Sequence, residues 1–217
     1  MDRLVIFDLD GTLVDSFAGI HHALDLALSD LDGPARDLEW VRRHVGRGVK
    51  ALMADAAGGL DQDELLRRFR VHYDRSVVEM TTPFPGVDSM LAAVAKTHRI
   101  AIASNKPLRW VHKLVRHLGW DPGIAAMVAP ESVNGVRKPD PAMIHAVFDR
   151  LGIGPDRALM VGDMPIDAET GRAAGIPVVG VTTGIADHQT LQEAGCVAVL
   201  ESAADLAAWL KGQTSSE

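Results

Sequence analysis

Cysteine is almost missing from this sequence: Cys196 is the only one among 217 residues. That excludes a disulfide framework and a cysteine zinc site, and it fits a reducing cytoplasm. No apolar run approaches the ~20 residues that a membrane-spanning helix needs. The chain does not open with a basic segment and a long apolar stretch, so no signal peptide is expected. Positive charge is in deficit, and the net charge of −7 argues against a nucleic-acid partner. There is no internal repeat and no low-complexity segment. The composition that remains, 47% hydrophobic and 24% charged, suits one substantial core, or a core with a small second unit.

What is present begins with "VIFDLDGTLVDS" (5–16), an apolar strand that runs into two aspartates, Asp8 and Asp10. After residue 80 the pattern alternates. Short β-rich runs, "RIAIAS" (99–104), "AMVAP" (126–130), "ALMVGD" (158–163), "PVVGVT" (177–182) and "VAVL" (197–200), are separated by amphipathic stretches of helical spacing. Examples are 108–120, with Trp110, Leu114, Val115 and Leu118 on one face, and 141–152, with Pro141 at its start and Gly152 at its end. Strands apolar on both faces and alternating with helices predict a parallel, Rossmann-like α/β sheet covered on both sides. Cys196, in "GCVAVL", reads as a small buried hydrophobe, and the last residues, 212–217, are expected to fray.

Residues 16–81 break the alternation. Phe17, Ile20, Leu24, Leu28 and Leu31 form one helical stripe, and Leu66, Phe69, Tyr73, Val77 and Met80 form another. Shorter helices are expected over 37–45 and 48–57, and "TTPFPG" (81–86) reads as the hinge that returns the chain. The expected organisation is a Rossmann-like core of residues 1–15 and 82–217, interrupted by an all-helical insert, or cap, of residues 16–81.

In an open parallel sheet, ligands bind beyond the carboxyl ends of the strands. Asp8, Ser104 and Asp163 all stand at such ends, and Lys138 sits in a loop before a helix. Clustered carboxylates need a cation, and hard oxygen ligands suit Mg²⁺. A carboxylate can attack phosphorus and split one displacement into two. A lysine and a hydroxyl can hold phosphoryl oxygens, and a second carboxylate two residues on can pass a proton to the leaving group.

Four segments carry a resemblance. "DLDGT" (8–12), Ser104, Lys138 in "RKPDP" (137–141) and "GDMPID" (162–167) resemble, in order, the four motifs of the haloacid dehalogenase superfamily of phosphohydrolases. The helical insert after the first motif is similar to the subfamily with a small helical cap. "VGRGVKALM" (45–53), "SNKP" (104–107) and "VGDMPIDAETGRAAG" (161–175) look most like phosphoglycolate phosphatases and their relatives. The resemblance implies that Asp8 is nucleophile and Mg²⁺ ligand, and that Asp10 is acid–base and ligand through its carbonyl. It implies that Ser104, Asn105 and Lys138 hold phosphate, that Asp163 binds metal, and that Thr12 and Asp167 support the site. Met164 departs from the pattern, standing where a small polar residue is common.

The cap should select the substrate. Arg42, Arg43, His44, Arg47 and Lys50 are its densest positive cluster, and the glycines around Arg47 suggest a turn that lowers Arg47 or Lys50 toward the site. A cation there favours a second anionic group, so the expected substrate is a small phosphorylated metabolite, 2-phosphoglycolate first. A phosphosugar mutase, or a phosphatase of sugar phosphates, nucleotides or pyrophosphate, shares the core motifs. A phospho-accepting signalling module would place its aspartate on a middle strand and lack the insert. A dehalogenase proper or a phosphonatase lacks Asp10, and an idle binding protein would not keep every reactive group. Monomer and homodimer are both compatible with the sequence.

Overall fold

The structure, a computed structural model, describes residues 3–214. The chain opens with β1 (Leu4–Phe7) and the two-residue β2 (Val14–Asp15), then enters four helices. These are α1 (Phe17–Ser29), α2 (Leu38–His44), α3 (Val49–Ala56) and α4 (Gln62–Glu79). It returns through β3 (Thr82–Pro83) to α5 (Val87–Val94), β4 (Arg99–Ala103), α6 (Leu108–His117), β5 (Ile124–Val128) and α7 (Ala142–Leu151). Then come β6 (Ala158–Gly162), α8 (Pro165–Ala173), β7 (Val178–Val181), α9 (His188–Glu193), β8 (Ala198–Leu200) and α10 (Leu206–Thr214).

Six strands form one parallel sheet in the order β5-β4-β1-β6-β7-β8. Alternation along β1 divides the core: Val5 and Phe7 join one hydrophobic cluster, Leu4 and Ile6 another on the opposite face. The first cluster continues through Leu9, Leu13, Val14 and Ile20 into the helical insert, so insert and sheet share one apolar core. Within the insert, α1 buries Ile20, Ala23, Leu24, Ala27 and Leu28 in one cluster with Leu65, Leu66, Phe69, Tyr73 and Val77 of α4. Asp61 starts α4 by accepting from the Glu64 N–H at 2.8 Å, and Asp37 caps α2 in the same way. Among the described residues no helix is long and apolar enough to cross a membrane.

Several local expectations shift. Leu31 falls beyond the end of α1, because the chain turns at Asp32 and Gly33. Met80 is the C-cap of α4 and 36% exposed, so it leaves the buried stripe. The return hinge is a ribbon: Val14 pairs with Pro83 and Asp15 with Thr82, antiparallel, which ties exit and re-entry of the insert together. α5 is an element absent from the expectations above, although Val87, Met90, Leu91 and Val94 carry helical spacing and are buried. Cys196 is half-buried, and burial lifts its thiol to about 11. α10 extends through Thr214, and residues 215–217 lie outside the described residues.

Packing of α8 on β7 leaves no space at Gly171. A Cβ there would fall far inside contact with Val178 Cγ2, and a buried β-branched side chain on a strand paired on both sides has little freedom to yield. Helix propensity favours Ala over Gly by about 1 kcal/mol, but overpacking costs about 1–3 kcal/mol. Gly171→Ala should therefore lower the denaturant midpoint with an unchanged slope; a raised midpoint would show that the β7 contact yields easily.

Candidate active site

Three adjacent strands, β4, β1 and β6, end at one rim. Phe7 lies opposite Ile102 on one side and Val161 on the other, so Asp8, Ser104 and Asp163 emerge together just past the strand ends. The chain leaves β1 and fills the β4–β5 side of the sheet before crossing to β6, so this rim is the crevice where strand order reverses. The Asp8 N–H donates to Val161 O at 2.9 Å and fixes that register beyond the last paired residue.

The structure brings Asp8, Asp163 and Asp167 together, all buried, with ligand oxygens within 4.8 Å of one another. One ammonium faces them. Lys138 Nζ lies 2.6 Å from Asp167 Oδ1 and 3.0 Å from Asp8 Oδ1. Thr12 Oγ1 donates to Asp163 Oδ1 at 2.9 Å, and the Ile185 N–H donates to its Oδ2 at 3.1 Å. Asp167 Oδ2 accepts from the Met164 N–H. Asp8 differs: its Oδ1 is buried without a hydrogen-bond donor in line, since Lys138 is close but poorly directed.

Close approach to the acidic side chains needs missing Cβ atoms. A side chain at Gly11, Gly162 or Gly184 would overlap Asp163 or Asp167. Gly11 also has φ +86°, which a Cβ makes costly. The Gly in "DLDGT" thus serves both the turn and the carboxylate behind it.

Ser104 Oγ accepts from the Lys106 N–H at 3.3 Å and does not cap α6, whose N-cap is Pro107. Asn105 bridges core and insert: its Nδ2 donates to Gly46 O at 2.9 Å, and its Oδ1 accepts from the Lys138 N–H at 2.9 Å. Gly46 also lies against Met164, so the thioether at that unusual position meets the insert's turn.

Asp10 has its own environment. Its Oδ1 accepts from Ser16 Oγ at 2.6 Å, and Lys106 Nζ lies 2.8 and 3.0 Å from its two oxygens. Lys106 was not singled out from the sequence, where one lysine in a loop looks solvated. It lines a cavity of about 50 Å³ beside Asp8, Asp10, Ser104 and Asn105, with walls of Ile20, Val45, Leu52, Phe69, Tyr73 and Trp110. Burial pulls the Lys106 pKa down, and the Asp10 carboxylate more than offsets this, leaving it above the ordinary lysine value.

The cap cations are placed elsewhere. Arg47 pairs with Asp55, and Lys50 is exposed on a neighbouring cleft with Arg70 and Arg137. Arg42 lies over the Phe17 ring and Arg43 pairs with Glu39. Neither Arg47 nor Lys50 lines the cavity beside Asp8.

The acidic group fits a hard divalent cation. Its donors are all carboxylate oxygens, and three carboxylates face one ammonium. Burial first, then the charges of Asp167 and Asp8, holds the Asp163 carboxyl well above the ordinary aspartate range. Burial raises Asp167 as well, against the pull of Lys138. The cluster thus carries surplus negative charge that a bound cation would relieve.

Comparisons with known proteins point the same way. Residues 5–181 match the haloacid dehalogenase-like hydrolase family. The chain is 38% identical over 222 residues to a phosphoglycolate phosphatase of Rhodospirillum rubrum, with 97% of this chain and 91% of that protein covered. It is 34% identical over 188 residues to an N-acetylmuramic acid 6-phosphate phosphatase of Pseudomonas aeruginosa, covering 84% and 82%. The crystal structure of a predicted phosphoglycolate phosphatase from Haemophilus somnus 129pt superimposes with a TM-score of 0.88 at 27% identity, covering 94% of this chain and 96% of that one.

Charge crowding has a measurable consequence. A carboxyl whose pKa is raised by folding binds protons more tightly in the native state, so its contribution to stability falls as pH rises from the ordinary aspartate range through the raised value. At neutral pH without divalent ions, Asp163→Asn should melt at least as high as wild type, because a repelling charge is gone. With Mg²⁺ added, wild type should gain melting temperature and the variant should gain much less. Equal gains in both would remove Asp163 from the metal site.

Proposed function

Because the chain belongs to the haloacid dehalogenase-like hydrolases, we propose that it is a Mg²⁺-dependent phosphatase acting through an aspartyl-phosphate on Asp8. The observation that carries this reading is Asp8 itself: a buried carboxylate with an oxygen lacking a directed donor, at the sheet's switch point, beside one lysine and two further carboxylates. The phosphatase names of relatives at 38% and 34% identity support it.

Asp8 attacks phosphorus, and the ester oxygen departs on the opposite side. Asp10 gives that oxygen a proton, then takes one from the water that attacks the phosphorus of the aspartyl-phosphate, which restores Asp8 and releases phosphate. Ser104 and Lys138 hold the phosphoryl oxygens. Asn105, through its bonds to Gly46 and Lys138, fixes the loop that presents the ammonium. Mg²⁺, bound by Asp8, Asp163 and the Asp10 carbonyl with Asp167 in support, would offset the charge of the phosphoryl group.

Residues 16–81 act as a cap over a core of residues 1–15 and 82–217, and the cap limits the leaving group. A cavity of about 50 Å³ suits a small one. A two-carbon leaving group fits a space of that size beside Ser104 and Asn105, and 2-phosphoglycolate is the first-choice substrate. The name of the Rhodospirillum relative agrees with that choice.

Turnover should require Mg²⁺ and vanish with a chelator. Among small phosphate esters, 2-phosphoglycolate should have the highest kcat/KM. Asp8→Asn should lower turnover by at least about a thousandfold while the far-ultraviolet spectrum stays native. Near-normal activity in Asp8→Asn would overturn the mechanism. Preference for uncharged sugar phosphates or nucleotides would overturn the substrate and leave the chemistry standing.

A further inference from the structure

Each reacting carboxylate in this site lies beside a buried ammonium. Asp8 has Lys138, which also faces the phosphoryl group. Asp10 has Lys106, for which phosphate binding gives no account. The Lys106 side chain is 3% exposed, and burying an ammonium is costly unless it is paired and hydrogen-bonded. Its partners are few and specific. Nζ reaches Asp10 Oδ1 at 2.8 Å, Asp10 Oδ2 at 3.0 Å and Tyr73 Oη at 2.7 Å.

These contacts come from three separate parts of the chain. Lys106 follows β4, Tyr73 lies on α4, and Ser16, the other donor to Asp10, immediately precedes α1. Tyr73 is itself set by packing: its ring stacks on Phe69 at 5.2 Å and meets the edge of Trp110 at 4.7 Å. The Lys106 backbone is fixed too, since its N–H donates to Ser104 Oγ. Asp10 Oδ1 takes two donors, Ser16 and Lys106, whereas Oδ2 takes Lys106 alone at the longer distance. Oδ2 is therefore the oxygen with capacity left for a leaving group or a water.

From this arrangement we infer that Lys106 is the positioning residue for the Asp10 carboxylate, and that Tyr73 is the insert's hold on Lys106. The inference rests on the phosphatase reading above and adds a role which that reading does not contain. A side chain that aims the proton-transfer group matters most where proton transfer limits the rate. Alkyl phosphates leave as strong bases and need the proton; aryl phosphates leave as stabilised anions and need it less. A lysine that gripped the substrate would instead show itself in KM.

The test is steady-state and burst kinetics of the full chain with Mg²⁺, on 2-phosphoglycolate and on p-nitrophenyl phosphate. Lys106→Met should lower kcat for 2-phosphoglycolate by about ten- to a hundredfold, the loss expected of a charge-assisted contact, with KM changed by less than about threefold. The burst of p-nitrophenol should slow by less than about threefold. Tyr73→Phe keeps the ring and removes only the hydroxyl, so it should give the same pattern at about three- to tenfold; it carries the test if Lys106→Met fails to fold. Equal loss on both substrates, or a rise in KM at constant kcat, would overturn the inference. Absence of any Asp8-dependent turnover in the wild type would instead overturn the phosphatase reading.

Discussion

Three buried carboxylates crowd the carboxyl edge of the sheet with one ammonium, Lys138, on only two of them, and much of the molecule is organised around tolerating that. Burial raises the proton affinity of Asp163, and the like charges of Asp167 and Asp8 raise it further. Solvent cannot relieve them, because every member is buried. Relief comes from Lys138, from the Thr12 hydroxyl and from the backbone N–H groups of Met164 and Ile185. These donors satisfy Asp163 and Asp167, whereas Asp8 Oδ1 has only Lys138 nearby, at 3.0 Å and poorly directed. Such a cluster costs stability and suits a site built for a cation and a phosphoryl group.

Space for those carboxylates is set by the backbone. Gly11, Gly162 and Gly184 come from three different loops or strand ends, and each leaves out the atom that would collide with Asp163 or Asp167. The insert is brought close in a similar way. At Gly46 and Gly48 the turn between α2 and α3 approaches Met164 and Arg137, and Asn105 bonds to the Gly46 carbonyl. One connected apolar core then joins insert to sheet. Ser16 therefore reaches Asp10 directly, and Tyr73 reaches it through Lys106, from elements held by hydrophobic packing.

Much of this was legible in the sequence because the signals are local. A buried parallel strand reads as a short apolar run, and Asp8, Ser104 and Asp163 could be placed at strand ends without knowing the strand order. The insert was legible because its helical stripes interrupt the alternation. The ribbon of β2 and β3 was not, since two-residue strands carry no periodicity. Lys106 was missed for a different reason. Its burial is made by Asp10 and Tyr73, 96 and 33 residues away in the chain, and nothing beside it in sequence distinguishes it from a solvated lysine. The direction of Arg47 was equally hidden, because it is decided by Asp55 on the following helix.

The claim on which the rest of the account stands is that Asp8, and not Asp10, receives the phosphoryl group. A crystal structure of the protein grown with Mg²⁺ and beryllium trifluoride, a mimic of an aspartyl-phosphate, tests it directly. The account predicts a tetrahedral adduct on an Asp8 carboxylate oxygen, with fluorine atoms near Ser104 and Lys138 and Mg²⁺ beside Asp163. An adduct on Asp10, or an Asp8 carboxylate left unmodified under conditions that support turnover, would contradict it.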